Sequence, residues 1–127
     1  MAWAPVVGWA VVVFGLSSIP GTRIPDVGFT FADKVAHIGV YGVLGALCYR
    51  ALQRGGRPTG RPRRVLAAAL LALAYGMTDE FHQMFVPNRS SELLDLAADL
   101  LGGTLGALVA SSLLWPLGAA GTQEPPA

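Results

Sequence analysis

The chain has 127 residues, room for one domain, of which 53% are hydrophobic and only 13% charged. That charged share is about half of the roughly 25% usual in soluble domains, which puts a membrane protein ahead of a water-soluble enzyme. The single cysteine, Cys48, excludes an intrachain disulfide and reads as a packing residue.

The net charge of +1 hides a segregation. Arg50, Arg54, Arg57, Arg61, Arg63 and Arg64 crowd one loop and its edges, whereas Asp26, Asp33, Asp79, Glu80, Glu92, Asp95 and Asp99 all lie elsewhere. The first apolar run, residues 2–19, has no ionisable side chain and is marginally long enough to span a bilayer. Pro5 is tolerated in its first turns, and Trp3 and Trp9 suit a membrane interface. A cleaved signal peptide is the alternative, but no basic stretch opens the run and no small-x-small site precedes Pro20. A retained helix is therefore expected.

Residues 20–30 read as a loop, from two prolines and two glycines. A helix should start near Asp33, whose carboxylate complements the helix dipole. Asp33, His37 and Tyr41, four residues apart, then share a face. Arg50 can snorkel at its far end. The basic Gly/Pro-rich loop that follows lacks the interleaved aromatics of a nucleic-acid surface, so no nucleic-acid partner is expected.

The third apolar run, residues 65–77, should continue as a helix through a polar end containing Asp79, Glu80, His82 and Gln83, until Pro87 and Asn88 make a turn. Ser90 or Ser91 is placed to cap a fourth helix reaching about Leu117, with Glu92 and Asp95 early in it. Ala98, Gly102, Gly106 and Ala110 form a small-xxx-small row in that helix, a close-packing face inside the chain or between two copies of it. Residues 118–127 read as a disordered tail.

The positive-inside rule places the arginine loop in the cytoplasm. The expected fold is an all-α membrane protein: four transmembrane helices in a compact bundle, both termini cytoplasmic, in one domain over residues 1–117. Ionisable groups from the second, third and fourth helices then meet at the outer face of the cell membrane. Such groups mark functional sites by default. Asp99, about one turn or roughly 6 Å deeper than Asp95, needs a partner such as Arg89, Lys34 or His37.

Asp33-Lys34-x-x-His37, Glu80-x-x-Gln83, Pro87-x-Arg89-Ser90 and Asp95-x-x-x-Asp99 followed by Gly102 and Gly106 carry a resemblance. Together they resemble the VanZ-like family over about residues 30–110. The family usually has Asn where this chain has Asp99. The resemblance implies a small multi-pass membrane protein and a link to resistance to the glycopeptide teicoplanin. It implies no defined activity.

Three uses of the polar cluster stay open. It could simply lock helix packing, each in-membrane hydrogen bond contributing about 0.6 kcal/mol. It could be an enzyme site, with His37 and Glu80 as acid–base candidates and Asp33, Lys34, Gln83, Arg89 and Ser90 binding substrate, the phosphate held by Arg89 and Lys34. Asp95 and Asp99 would then hold Mg²⁺; zinc on the two histidines and the acids is the alternative, but no two-His spacing such as HExxH is present. It could instead bind an anionic lipid or cell-wall precursor without chemistry, and a homodimer through the small-residue row of the fourth helix would enlarge that pocket. A transport path is disfavoured, because the cytoplasmic halves carry no matching polar residues.

Overall fold

The computed structural model describes residues 1–26, 28, 31–56 and 59–119, with side chains described as far as Leu114. Four helices follow in order: α1 (Ala4–Ser17), α2 (Ala32–Arg54), α3 (Arg61–Gln83) and α4 (Leu93–Ala119), with a 3-10 turn at Gly21–Arg23. No strand occurs among the described residues. Arg57 of the basic loop lies outside them. Gly118 and Ala119, expected in the tail, close α4, and residues 120–127 lie outside the described ones.

Two helices are long and apolar enough to cross a membrane, α2 and the stretch Leu93–Leu114 of α4. The first helix is shorter than its apolar run. It has 14 residues, about 21 Å at 1.5 Å per residue, against a hydrocarbon core of about 30 Å. Pro5 lies in its first turn, and Ser18 ends it, with its hydroxyl folded back onto Phe14 O at 2.7 Å. The third helix has 23 residues but carries Arg61, Arg63 and Arg64 at one end and Asp79 and Glu80 at the other.

The packing is inverted relative to a soluble bundle. The buried set is dominated by alanines, with Tyr41, Leu44, Cys48 and Tyr49 as its larger members. Large apolar side chains, among them Val11, Leu70, Phe81, Leu105, Val109 and Leu113, are exposed instead. Small residues inside let backbones approach, and the apolar outer surface suits lipid.

The α2–α4 interface shows why. A Cβ on Gly106 would run into the Gly42 backbone, and one on Gly102 into the Ile38 backbone. Ala98 and Ala110, the ends of the same row, are each only 7% exposed. Within the chain, Gly102 and Gly106 of the row thus pack against α2. Gly103 meets α3 in the same way, its would-be Cβ standing 2.7 Å from Ala72 Cβ.

Polar bonds fasten α1 to this core. Trp9 Nε1 donates to Val40 O at 3.0 Å, so this tryptophan packs between helices rather than marking an interface. Tyr75 OH donates to Ala10 O at 2.6 Å, and Gln83 Nε2 to Ser17 Oγ at 3.1 Å. At the opposite end of the bundle, Arg61 donates to Ser111 Oγ at 3.0 Å and to Ser112 Oγ at 3.1 Å. One of the basic-loop arginines is therefore a helix-to-helix tie.

Candidate functional site

Two loops meet first. The Gly21 N–H donates to Pro87 O at 3.1 Å, and Asn88, at φ 58, sits in the left-handed region that asparagine tolerates. A Cβ on Gly21 would strike the Asn88 carbonyl. Glycine at this point lets the α1–α2 and α3–α4 loops touch, and so brings Arg23 and Arg89 to one place.

That place is a cavity of about 340 Å³. Val13, Leu16, Ile19, Ile24 and Val40 supply apolar walls, while Arg23, Arg89, Asp33, His37, Asp79 and Gln83 supply polar groups. Neither Arg23 nor Arg89 has a side-chain hydrogen bond or ion pair among the described residues. Asp79 accepts from Tyr41 OH at 3.0 Å through Oδ2, leaving Oδ1 buried without a partner.

A second, hydrogen-bonded cluster joins α2, α3 and α4. Lys34 Nζ donates to Asp33 Oδ2 at 2.7 Å, Glu92 Oε2 at 2.9 Å and Asp95 Oδ1 at 2.6 Å. All three ammonium protons are thereby used. His37 Nδ1 lies 2.6 Å from Asp99 Oδ1, and His37 Nε2 lies 3.9 Å from Asp95 Oδ1. Of the three partners open to Asp99, histidine is the one it has.

Glu80 Oε2 accepts from Ser91 Oγ at 2.9 Å and from the Glu92 N–H at 3.3 Å. The anion at the start of α4 is thus the chain's own carboxylate. Neither serine caps α4 as expected: Ser91 is drawn to Glu80, and Ser90 Oγ is 3.4 Å from Glu92 Oε1. Asp99 is fully buried and Glu80 is 5% exposed. Among the described residues neither Asp99 Oδ2 nor Glu80 Oε1 has a hydrogen-bond partner. One ligand atom from each of His37, Glu80 and Asp99 lies within 4.8 Å of the others.

The residues singled out from the sequence therefore divide. Asp33, His37, Gln83 and Arg89 line the cavity; Lys34, Glu80, Asp95 and Asp99 belong to the cluster and do not line it. Asp33 and His37 belong to both. Ser90 is exposed and belongs to neither lining nor buried cluster. Asp95 is committed to Lys34, so the close donor set around Asp99 is completed by His37 and Glu80 instead. Sequence reasoning placed Asp79 at the outer polar end but gave it no role in the site, and it passed over Arg23 and Tyr41 as site residues. The signal was there for Arg23, the one arginine in the first loop.

The described residues form helices and no strand, and the two helices long and apolar enough to cross a membrane, with a small-residue interior, are features of a membrane protein. A family model described as VanZ/LLP1 matches residues 3–115, and the chain belongs to that family. Comparison with curated proteins and with solved structures gave no match.

Proposed function

We propose that this protein spans the cell membrane with four helices, both termini cytoplasmic, and holds a phosphate-bearing lipid or cell-envelope precursor in an outward-facing pocket. On this reading residues 1–117 act as one membrane domain. The observation that supports it is that two guanidiniums, Arg23 and Arg89, with no side-chain partner among the described residues, share one cavity with apolar walls. Arginine binds phosphate in bidentate fashion, and the walls suit an acyl or prenyl chain. The ligand is then an anionic amphiphile. A link to teicoplanin resistance belongs to the same proposal, since capture of an envelope precursor would alter what a glycopeptide meets.

Binding is favoured over chemistry. Of the two acid–base candidates, Glu80 is tied to the start of α4 and does not line the cavity, and His37 is engaged by Asp99. The test is native mass spectrometry of detergent-purified protein offered phosphatidic acid, a polyprenyl phosphate and phosphatidylcholine together. An adduct selective for the phosphomonoesters is expected, lost in Arg23→Ala/Arg89→Ala while the protein stays monodisperse. No selectivity in the wild type, or full retention in the double variant, would leave the polar groups as a packing device.

A further inference from the structure

Two carboxylates buried beside one imidazole need an explanation that the cavity does not supply. Moving an ionised carboxylate out of water is expensive unless it is paired. Lys34 serves Asp33, Glu92 and Asp95 and has no proton left for Glu80 or Asp99. Glu80 Oε2 is held by Ser91 and the Glu92 N–H, while Oε1 has no hydrogen-bond partner. Asp99 Oδ1 meets His37, while Oδ2 has none. Both side chains are more than nine-tenths buried.

We infer that His37, Glu80 and Asp99 form a binding site for one divalent first-row transition-metal ion, Zn²⁺ or Mn²⁺ in chemistry. Three observations meet here. The three residues bring one donor atom each within 4.8 Å of one another, and the group comes from three different helices. Glu80 Oε1 and Asp99 Oδ2, both buried, lack partners among the described residues. Charge balances as well: a doubly charged ion offsets two carboxylates, with a neutral imidazole as third donor.

Donor type sets the metal class. The imidazole favours Zn²⁺ and the two carboxylates also suit Mn²⁺, whereas Mg²⁺ and Ca²⁺ are met by oxygen donors alone. Three protein donors leave further positions for water or a ligand oxygen, as in open rather than structural sites. The bonds from Ser91 and the Glu92 N–H would orient the Glu80 carboxylate as outer-shell partners do. The imidazole nitrogen that coordinates the ion must be free of its proton, and where that nitrogen is Nδ1 the proton it shares with Asp99 is released. The inference stands apart from the amphiphile reading, because Glu80 and Asp99 do not line the cavity and a metal count needs no lipid.

The test uses the full chain in detergent, stripped with a chelator and titrated separately with ZnCl₂, MnCl₂ and MgCl₂. Elemental analysis after desalting and thermal unfolding are the readouts. One Zn²⁺ or Mn²⁺ per chain and a raised unfolding midpoint are expected, with Mg²⁺ ineffective. Glu80→Gln and Asp99→Asn should each weaken binding by at least the ~10–100-fold that loss of a supporting outer-shell partner costs. Asp26→Asn, at an exposed carboxylate outside both the cavity lining and the group, should bind as the wild type does. Wild-type protein that retains and responds to neither Zn²⁺ nor Mn²⁺ overturns the inference. So does undiminished binding in both Glu80→Gln and Asp99→Asn. If either variant fails to fold, His37→Gln replaces it, and the wild-type count decides in any case.

Discussion

Gly76 of α3 stands against the carboxylate of Asp99 of α4 so closely that a Cβ at Gly76 would lie 2.6 Å from Oδ2. The buried acid and the missing side chain are therefore one feature, and α3 can approach α4 at this level because of it. Gly76→Ala must either shift Asp99 off His37 or part the helices. Overpacking of this kind costs about 1–3 kcal/mol. Thermal unfolding in detergent should show that loss, and Gly76→Ala/Asp99→Ala should recover part of it as a non-additive coupling. Strict additivity would mean that the two residues do not constrain each other.

Lys34 is the bridge between α2 and the start of α4. Removing its ammonium in Lys34→Met leaves the buried Asp95, 3% exposed, without its cation. Breaking one side of such a pair costs about 3–5 kcal/mol when fully buried. Lys34 keeps 16% of its side chain exposed, so the lower end is expected. Lys34→Met/Asp95→Leu should restore much of the loss, since an apolar pair of similar volume has no charge left to solvate. A double variant as weak as the single would locate the role of Lys34 outside this pair.

The small-residue row of α4 makes a sharper claim. Gly102→Leu and Gly106→Leu should each reduce folded yield, because their side chains would enter the α2 backbone at Ile38 and Gly42. Leu101→Ala and Leu105→Ala, on the exposed side of the same helix, should leave folded yield unchanged. Size-exclusion profiles of the four variants separate these outcomes. Equal loss in both sets would assign the row no special part in packing.

How much of this was legible in the sequence varies with the range of the interaction. Helix positions followed from apolar runs, Pro20, the Pro87–Asn88 turn and the glycine-rich basic loop, all local signals. The small-residue row was legible too, because spacing of four along one helix needs no knowledge of the neighbour. Pairing across helices was not. Lys34 and Arg89 both read as phosphate ligands, yet Lys34 is consumed by three carboxylates whereas Arg89 has no side-chain partner among the described residues. Only the relative rotation of α2 and α4 decides that, and a single sequence does not encode it visibly. Ser91 likewise read as a local cap, and a carboxylate from α3 outcompeted that role. The length of α1 was overread because an apolar run says nothing of where the chain turns.

The loop contact at Gly21 should govern the cavity. Gly21→Ala places a methyl into the Asn88 carbonyl and must separate the two loops. Arg23 and Arg89 then no longer face one ligand, although neither has been altered. The selective phosphomonoester adduct should fall about tenfold or more, in line with the loss of one charge-assisted contact of about 1.5–3 kcal/mol. Unfolding temperature should change less, since no helix–helix surface is touched. Retained binding would show that the arginines reach the ligand independently of the loop contact.

The last expectation concerns which way the bundle lies, which charge distribution alone can decide only through the bias of basic loops toward the cytoplasm. Arg50, Arg54, Arg61, Arg63 and Arg64 gather at one end of α2 and α3, while Lys34, Glu80, Arg89 and Asp95 gather at the other. A thiol-specific, membrane-impermeant label distinguishes the two ends in intact cells and inverted vesicles. Thr59→Cys reports the arginine end, and Ser90→Cys, at an exposed serine, reports the cavity end. Ser90 is preferable to Asn88, whose left-handed backbone would strain a cysteine. Native Cys48 is 2% exposed and should stay silent. Labelling of Ser90→Cys in intact cells, with Thr59→Cys labelled only in inverted vesicles, is expected for an outward-facing cavity. The reverse pattern would turn the cavity toward the cytoplasm, and an envelope precursor of the outer leaflet would then be the wrong ligand.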